Sequence, residues 1–392
     1  MVLQSSMSDT AQPLHVLLQG DTVASQGVRL GAALAARGYR VTFADAPELA
    51  ASVRQDYGQE CSVNRLLIGG PSFFRQYIVA RRLAQLKVDV VHLNYLHPNQ
   101  TIFARLGAQS PPYIATAWGS DINTKVFEKS QRWLGHLGEV LRGASAVTAD
   151  SQPILDRCRG LQGKGTSLVP YKRVFFGVDL AIFDRKRVTE ASAKWRYQLD
   201  ISPYTTVVLC ARKVLPHYHN DLVLEAFANS QLSNSAVLLL KDHGRNGEKE
   251  EIKKLQNRAR VLGIEEKIRV APPIPYEELP ALYAVADIAV SYPQADGVAS
   301  SILELMALGI PVISADLEAY NNVLDDRTTG RRVAHGDVKA LTNAMEWFMS
   351  EAIHRATIVA NARQFVMKHA TWESNVDTWV ALYKDIVAQR AT

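Results

Sequence analysis

Residues 287–315 read DIAVSYPQADGVASSILELMALGIPVISA, and this stretch decides the fold. The run from Ile288 to Ser291 is short, apolar and followed by a polar loop, which predicts a buried strand ending near Tyr292. Pro293 and Gly297 turn the chain back, a helix begins near Ser300, and Gly309-Ile310-Pro311 leads into a second apolar strand over 311–314. Strand, loop, helix, strand is the unit of a parallel sheet covered by helices. It sets a helix N-terminus at the carboxyl edge of the sheet, where free N–H groups and the helix dipole attract phosphate. Gly297 and Ala299 leave the backbone there open to a diphosphate.

The same rhythm runs outward in both directions. In the first half, strands are predicted over 14–19, 40–44, 89–93, 113–116 and 146–149, with helices over 25–37, 73–86 and 129–141. In the second half, strands fall at 206–210, 236–240, 268–271, 288–291 and 311–314, again separated by helical segments. The fold class is therefore α/β, as two doubly wound units. The basic run Asp184-Arg185-Lys186-Arg187 after the turn Gly177-Val178-Asp179 marks a joint. The expected division is 1–187, 188–372 and a last helical stretch, 373–392, that packs back on the first unit. Residues 338–349, 353–369 and 373–389 read as helices with no strand after them.

Composition fits this reading. With 392 residues, 47% apolar and 21% charged, the chain can bury a core in each of two domains, which excludes disordered, collagen-like and miniprotein classes. Cys61, Cys158 and Cys210 are far apart with no Cys-x-x-Cys pair, which argues against a disulfide framework, a zinc finger or a thioredoxin-like site and for a reducing, cytoplasmic setting. Residues 1–8 lack a basic n-region, the apolar run 14–18 is too short for a signal-peptide core, and no stretch approaches the roughly 18 apolar residues of a spanning helix. The charge is uneven. Residues 1–188 carry 22 Lys/Arg against 14 Asp/Glu, while residues 189–392 carry 22 against 25. A basic surface suits nucleic acid, anionic lipid or an acidic ligand, or is simply solvated. No helix-turn-helix, zinc-finger or RNP signature supports nucleic acid as a partner.

Several chemistries are excluded by their missing motifs. Neither half carries Gly-x-Gly-x-x-Gly after its first strand, so a nicotinamide dehydrogenase is disfavoured. Gly163-Lys164-Gly165-Thr166 lacks the spacing of a P-loop and reads as a turn. No Gly-x-Ser-x-Gly elbow is present, and no Asp-x-Asp that would hold a metal-bound diphosphate. His217-Tyr218-His219 has no further ligand cluster beside it and reads as a loop.

Asp296 and Glu304 stand seven residues apart on the loop and the helix. Helical side chains lean toward the N-terminus, so Glu304 points back to the ligand side, where a carboxylate can accept hydrogen bonds from vicinal sugar hydroxyls. Ser301-x-x-Glu304 is equally the pattern of a capping box, in which Glu304 only satisfies backbone N–H groups.

An acid, seven residues and Glu, then a small-residue helix, Gly309-Ile310-Pro311-Val312-Ile313 and Thr329-Gly330, resembles the second half of glycosyltransferase family 4, the retaining GT-B transferases (glycosyl transferases group 1). The likeness continues through Gly177-Val178-Asp179, Ala211-Arg212, Glu225-Ala226-Phe227 and Tyr276-Glu277-Glu278-Leu279-Pro280. In the first half it includes Trp118-Gly119-Ser120-Asp121 and Ala149-Asp150-Ser151. The resemblance implies two Rossmann-like domains facing across a cleft and a nucleotide-sugar donor bound without metal or cofactor. It implies that Glu304 holds the donor ribose and that Asp296 contacts the transferred sugar. The N–H groups around Gly297, Ser300, Ser301 and Ile302 would cradle the diphosphate, with Arg212 neutralising it and Lys213 as the second cation. Gly20 and Trp118 fall on the acceptor side. Trp118 stands where many members have His, which leaves His97 and Asp121 as candidates for the group set against the reacting sugar. The sequence also departs at His217 or Tyr218, where a Lys is usual, and at Lys241-Asp242-His243-Gly244, where Gly-x-Gly is usual.

The expected activity is transfer of a sugar from a UDP- or GDP-type donor to a glycan or lipid-linked acceptor, with peripheral membrane contact through the basic first half. The alternatives are a GT-B epimerase or hydrolase, and a non-catalytic nucleotide-sugar-binding partner protein.

Overall fold

The computed structural model describes residues 13–20, 25–44, 61–64, 75–123, 129–163 and 169–391. Its central strands are buried at every position, as over Val90–Asn94, Tyr113–Ala117 and Ile288–Ser291. Strands of that kind belong to a parallel sheet covered on both faces, and the chain builds two. The first contains β1 (His15–Gly20), β2 (Arg40–Ala44), β3 (Cys61–Asn64), β4 (Val90–Asn94), β5 (Tyr113–Ala117), β6 (Ala146–Ala149) and β7 (Tyr171–Arg173), in the order β3-β2-β1-β4-β5-β6-β7. Between them run α1 (Ser25–Ala36), α2 (Arg75–Leu86), α3 (Thr101–Leu106), α4 (Gln131–Gly143) and α5 (Gln152–Gln162).

The second sheet contains β8 (Thr206–Cys210), β9 (Ala236–Lys241), β10 (Ile268–Ala271), β11 (Ile288–Ser291), β12 (Val312–Ala315) and β13 (Arg331–Val333), in the order β10-β9-β8-β11-β12-β13. Its helices are α6 (Thr189–Gln198), α7 (Asn220–Asn229), α8 (Glu248–Val261), α9 (Leu279–Tyr283) and α10 (Ser300–Ala307), followed by α11 (Val338–Ser350), α12 (Ala352–His369) and α13 (Trp372–Ala391). Strand order reverses between β1 and β4 and between β8 and β11. Such a switch point opens a crevice at the carboxyl ends of the strands.

The predicted strands and helices reappear with ends shifted by a residue or two, for local reasons. Helix α4 begins at Gln131 because the Ser130 hydroxyl accepts the Trp133 N–H at 3.1 Å. Strand β12 begins after Pro311, which has no N–H to give the ladder. Residues 73–74 of the second predicted helix, and Lys164 to Thr166 of the expected turn, lie outside the described residues. Strands β3, β7 and β13 were not expected. All three are short edge strands, held by backbone pairing to one neighbour.

The chain passes between the sheets twice, and the two passages are tied together. Val178 N–H donates to Ala370 O and Trp372 N–H to Val178 O, both at 2.8 Å. Gly177 has φ +74°, and a Cβ there would lie 2.8 Å from Thr371 O, so the contact requires glycine. Helix α13 then buries Trp372, Val376, Trp379 and Tyr383 against Val16, Leu18 and Phe43 of the first sheet. His92 bridges this layer, with Nδ1 2.6 Å from Tyr383 Oη and Nε2 2.6 Å from Thr116 Oγ1. Burial drives its pKa down to about 3, so the ring is neutral. No helix among the described residues is long and apolar enough to cross a membrane.

Candidate active site

The carboxyl edges of the two sheets face one cavity of about 470 Å³. The second sheet contributes Arg212 and Lys213 after β8, Lys241 at the end of β9, and Asp296, Ser300, Ser301 and Glu304 around the start of α10. The first sheet contributes Trp118, Gly119, Asp150 and Phe176. Of the expected site residues, Arg212, Lys213, Asp296, Ser300, Ser301, Glu304 and Trp118 meet in this one space.

Helix α10 excludes the capping-box reading of Glu304. Its N-cap is Ala299, with no side-chain cap, so Ser301 and Glu304 form no capping box. Glu304 is buried in the cavity wall and accepts from the Tyr276 hydroxyl at 3.1 Å. Burial pushes its carboxyl up to about 7, against the nearby Arg29, Tyr276, Arg212 and Lys241.

Arg212 leaves β8 beside the switch point and meets Asp296 from the loop after β11. Nη2 lies 2.7 Å from Asp296 Oδ2, Nη1 donates to Ser301 Oγ at 3.3 Å, and the guanidinium sits 4.6 Å above the Tyr218 ring. The Arg212 Nε is buried and has no hydrogen-bond partner. Burial pushes the Asp296 carboxyl up, and Arg212 opposes it. Gly297 N–H turns back onto Asp296 Oδ1 at 3.0 Å, which closes the loop.

Four expected residues, Gly297, Ile302, Asp121 and His97, do not line the cavity, and the Gly297 N–H expected to cradle a diphosphate is taken by Asp296. Ile302 N–H is taken by Ala299 O at 3.0 Å and its side chain lies in the core, so it has no part in a diphosphate cradle. Asp121 is fully buried and accepts from the N–H groups of Leu96 (2.8 Å), Gly119 (2.9 Å) and Trp118 (3.1 Å). Burial pushes it up to about 6. It holds the Trp118 loop in shape and does not line the cavity. His97 caps the turn at Pro98–Gln100, accepting from Asn99 N–H at 3.2 Å, and its ring packs on Trp133. It too lies off the cavity. Gly20 ends β1, paired with Asn94 of β4. Trp118 itself is fixed by a hydrogen bond from Nε1 to Asn94 Oδ1 at 2.7 Å and by edge contact with Phe176.

Residue type alone did not reveal the basic side chains after β9. Lys241, His243 and Arg245 all reach the cavity. Lys241 is buried, with Nζ donating to Asp242 O at 3.3 Å, and burial lowers its pKa. The signal was the replacement of Gly-x-Gly by Lys241-Asp242-His243, which marks a changed surface but not its direction.

The family model for glycosyl transferases group 1 matches residues 192–365, and that for the glycosyl transferase 4-like domain matches residues 23–171. A D-inositol 3-phosphate glycosyltransferase of Salinispora tropica is 27% identical over 55% of this chain and 46% of its own length. A GDP-mannose-dependent alpha-(1-6)-phosphatidylinositol monomannoside mannosyltransferase of Mycolicibacterium smegmatis is 25% identical over 67% of each chain. Most of the curated relatives are matched over about half of their length. Among solved structures, HepE of Anabaena in complex with UDP and glucose shares the fold with a TM-score of 0.78 and 18% identity, covering 95% of this chain and 100% of its own. The two family matches lie on the two sheets in turn, and the chain belongs to the GT-B glycosyltransferases of the family 4 type.

Proposed function

We propose that the chain transfers a sugar from a UDP- or GDP-type donor to an acceptor, with retention of configuration and without a metal ion. The observation that carries this reading is one cavity in which a buried carboxyl, Glu304, and a helix N-terminus with no side-chain cap stand beside Arg212. Glu304 would take the ribose hydroxyls, and the N-terminus of α10 the diphosphate. Charge grows on the leaving diphosphate in the transition state, and fixed N–H dipoles with a guanidinium stabilise it best. Arg212 Nε remains to reach a phosphate oxygen while Nη2 stays on Asp296. The acceptor would enter between Trp118 and the second sheet, and closure of the cleft would exclude water that hydrolyses the donor.

Retention and metal independence rest on the family resemblance and on charge compensation by a guanidinium, ammonium groups and N–H dipoles. The names of the relatives above favour UDP or GDP as the donor nucleotide. The excess of Lys and Arg in residues 1–188 supports a lipid-linked or membrane-adjacent acceptor. Vesicles containing anionic lipid, pelleted at low salt, should carry the protein down; failure to do so removes the membrane part of the reading.

The test is a thermal-shift and turnover panel of UDP, GDP, ADP and their sugar conjugates, with chelator present. Stabilisation by one diphosphate, with slow release of it from the matching conjugate, supports the reading. Stabilisation by none of them contradicts it, and stabilisation without turnover in the presence of candidate acceptors points to a binding protein.

A further inference from the structure

Asp150 stands in the cavity wall and has no role assigned to it in the donor reading given above. It follows β6 in the first sheet, is 5% exposed, and its Oδ1 is buried without a hydrogen-bond partner. Its carboxyl reaches across to the second sheet. A Cβ built on Gly297 would lie 2.5 Å from Asp150 Oδ2 and 2.8 Å from Oδ1, so glycine is what lets the two approach. Gly119 closes the same corner, since a Cβ there would lie 3.2 Å from Gly297 N. Gly119, Asp150 and Gly297 thus form a tight meeting point of the two halves, next to Asp296 and just ahead of α10.

Among the charged and titratable groups, Asp296 and Asp121 act on Asp150, and Asp150 acts on Tyr320. Arg212, which lines the same cavity, is engaged with Asp296. Among the described residues no Lys, Arg or His forms an ion pair with Asp150. Burial pushes its carboxyl up to about 8, with Asp296 and Asp121 adding to this and the Val298 N–H and Ser151 opposing it. At neutral pH it is therefore mainly a neutral acid, able both to donate and to accept. A buried polar atom of this kind calls for a partner, and a sugar hydroxyl supplies both halves of the bond. A carboxylate on the sugar would instead bring a second negative charge beside Asp296, whose counter-ion Arg212 is already engaged.

We propose that Asp150 receives a hydroxyl of the transferred sugar and so selects a neutral, polyhydroxylated sugar over one bearing a carboxylate. This rests on the donor reading given above. Calorimetric titrations of wild type, Asp150→Ala and Asp150→Asn would use UDP, UDP-glucose and UDP-glucuronate, and GDP, GDP-mannose and GDP-mannuronate. Asp150→Ala should bind the free diphosphate within about twofold of wild type yet weaken the neutral-sugar conjugate about tenfold. Asp150→Asn, which keeps a donor and an acceptor, should recover part of that loss, and thermal melts confirm that it folds. Wild type should prefer the neutral conjugate to the uronate by at least about tenfold. The proposal is overturned if Asp150→Ala weakens diphosphate and conjugate equally, if conjugate affinity is unchanged, or if wild type binds the uronate as well as the neutral sugar. If wild type binds neither UDP nor GDP, the donor reading fails, and this inference with it. That result is distinct from diphosphate binding that the Asp150 variants leave untouched.

Discussion

Arg212 and Asp296 are joined at 2.7 Å in an enclosed corner, so neither can be changed without stranding the other. Asp296→Ala leaves a buried guanidinium without its counter-ion, and urea unfolding should show a loss of about 3 kcal/mol. Asp296→Asn keeps a hydrogen-bond acceptor for Arg212; its stability loss should be smaller, and turnover should fall far more than nucleotide affinity. Glu304→Gln retains the shape but removes the strong acceptor for ribose, and calorimetry should show the donor nucleotide bound about tenfold more weakly. The side chains that could be read from sequence are those whose chemistry follows from local spacing: Asp296 on its loop, and Glu304 leaning back from α10. Asp121 stays ambiguous in the sequence because a carboxylate that could face a sugar can equally be used up by three backbone N–H groups, and only the loop's path shows which holds. Asp150 went unassigned because its neighbour Gly297 comes from the other half of the chain.

At the scale of elements, the loops after β8 and β9 are pinned by one residue at the start of α8. The Glu248 carboxylate is inaccessible to solvent and accepts N–H groups from Arg245 (2.8 Å), Val214 (2.9 Å) and His243 (3.1 Å). Burial pushes the group up, but the His243 side chain, 3.3 Å away, and the Arg245 and Val214 N–H groups more than offset it and hold the pKa at about 2. A folded value below the unfolded one means that the carboxylate stabilises the fold above about pH 4.5, and that this is lost as pH falls through 2. Glu248→Ala should cost about 3 kcal/mol, flatten that part of the acid-unfolding curve, and speed amide exchange in the loops that carry Lys213 and Lys241. Central strands were legible because burial on both faces demands continuous apolar runs. Strands β3, β7 and β13 were not, since these edge strands of three or four residues are held by one neighbour's backbone and lack the apolar run that marks the edge strand β10.

Over the whole molecule, two sheets share one cavity because the chain returns. After its second passage beside Val178, α13 lies on the first sheet, and Trp379 is fully buried there. Trp379→Ala should destabilise the protein by about 3–5 kcal/mol in urea unfolding, with the loss falling on the first sheet's exchange protection. The doubly wound pattern of each half was legible from periodicity alone, whereas the tie between Val178 and residues 370–372 depends on backbone contacts that no periodicity reports. The most direct test of the account is a crystal structure with the nucleoside diphosphate that stabilises the protein best. The account predicts phosphate oxygens at the N-terminus of α10 beside Arg212, with both ribose hydroxyls on Glu304. A nucleotide bound away from α10, or one whose ribose leaves Glu304 untouched, would contradict it.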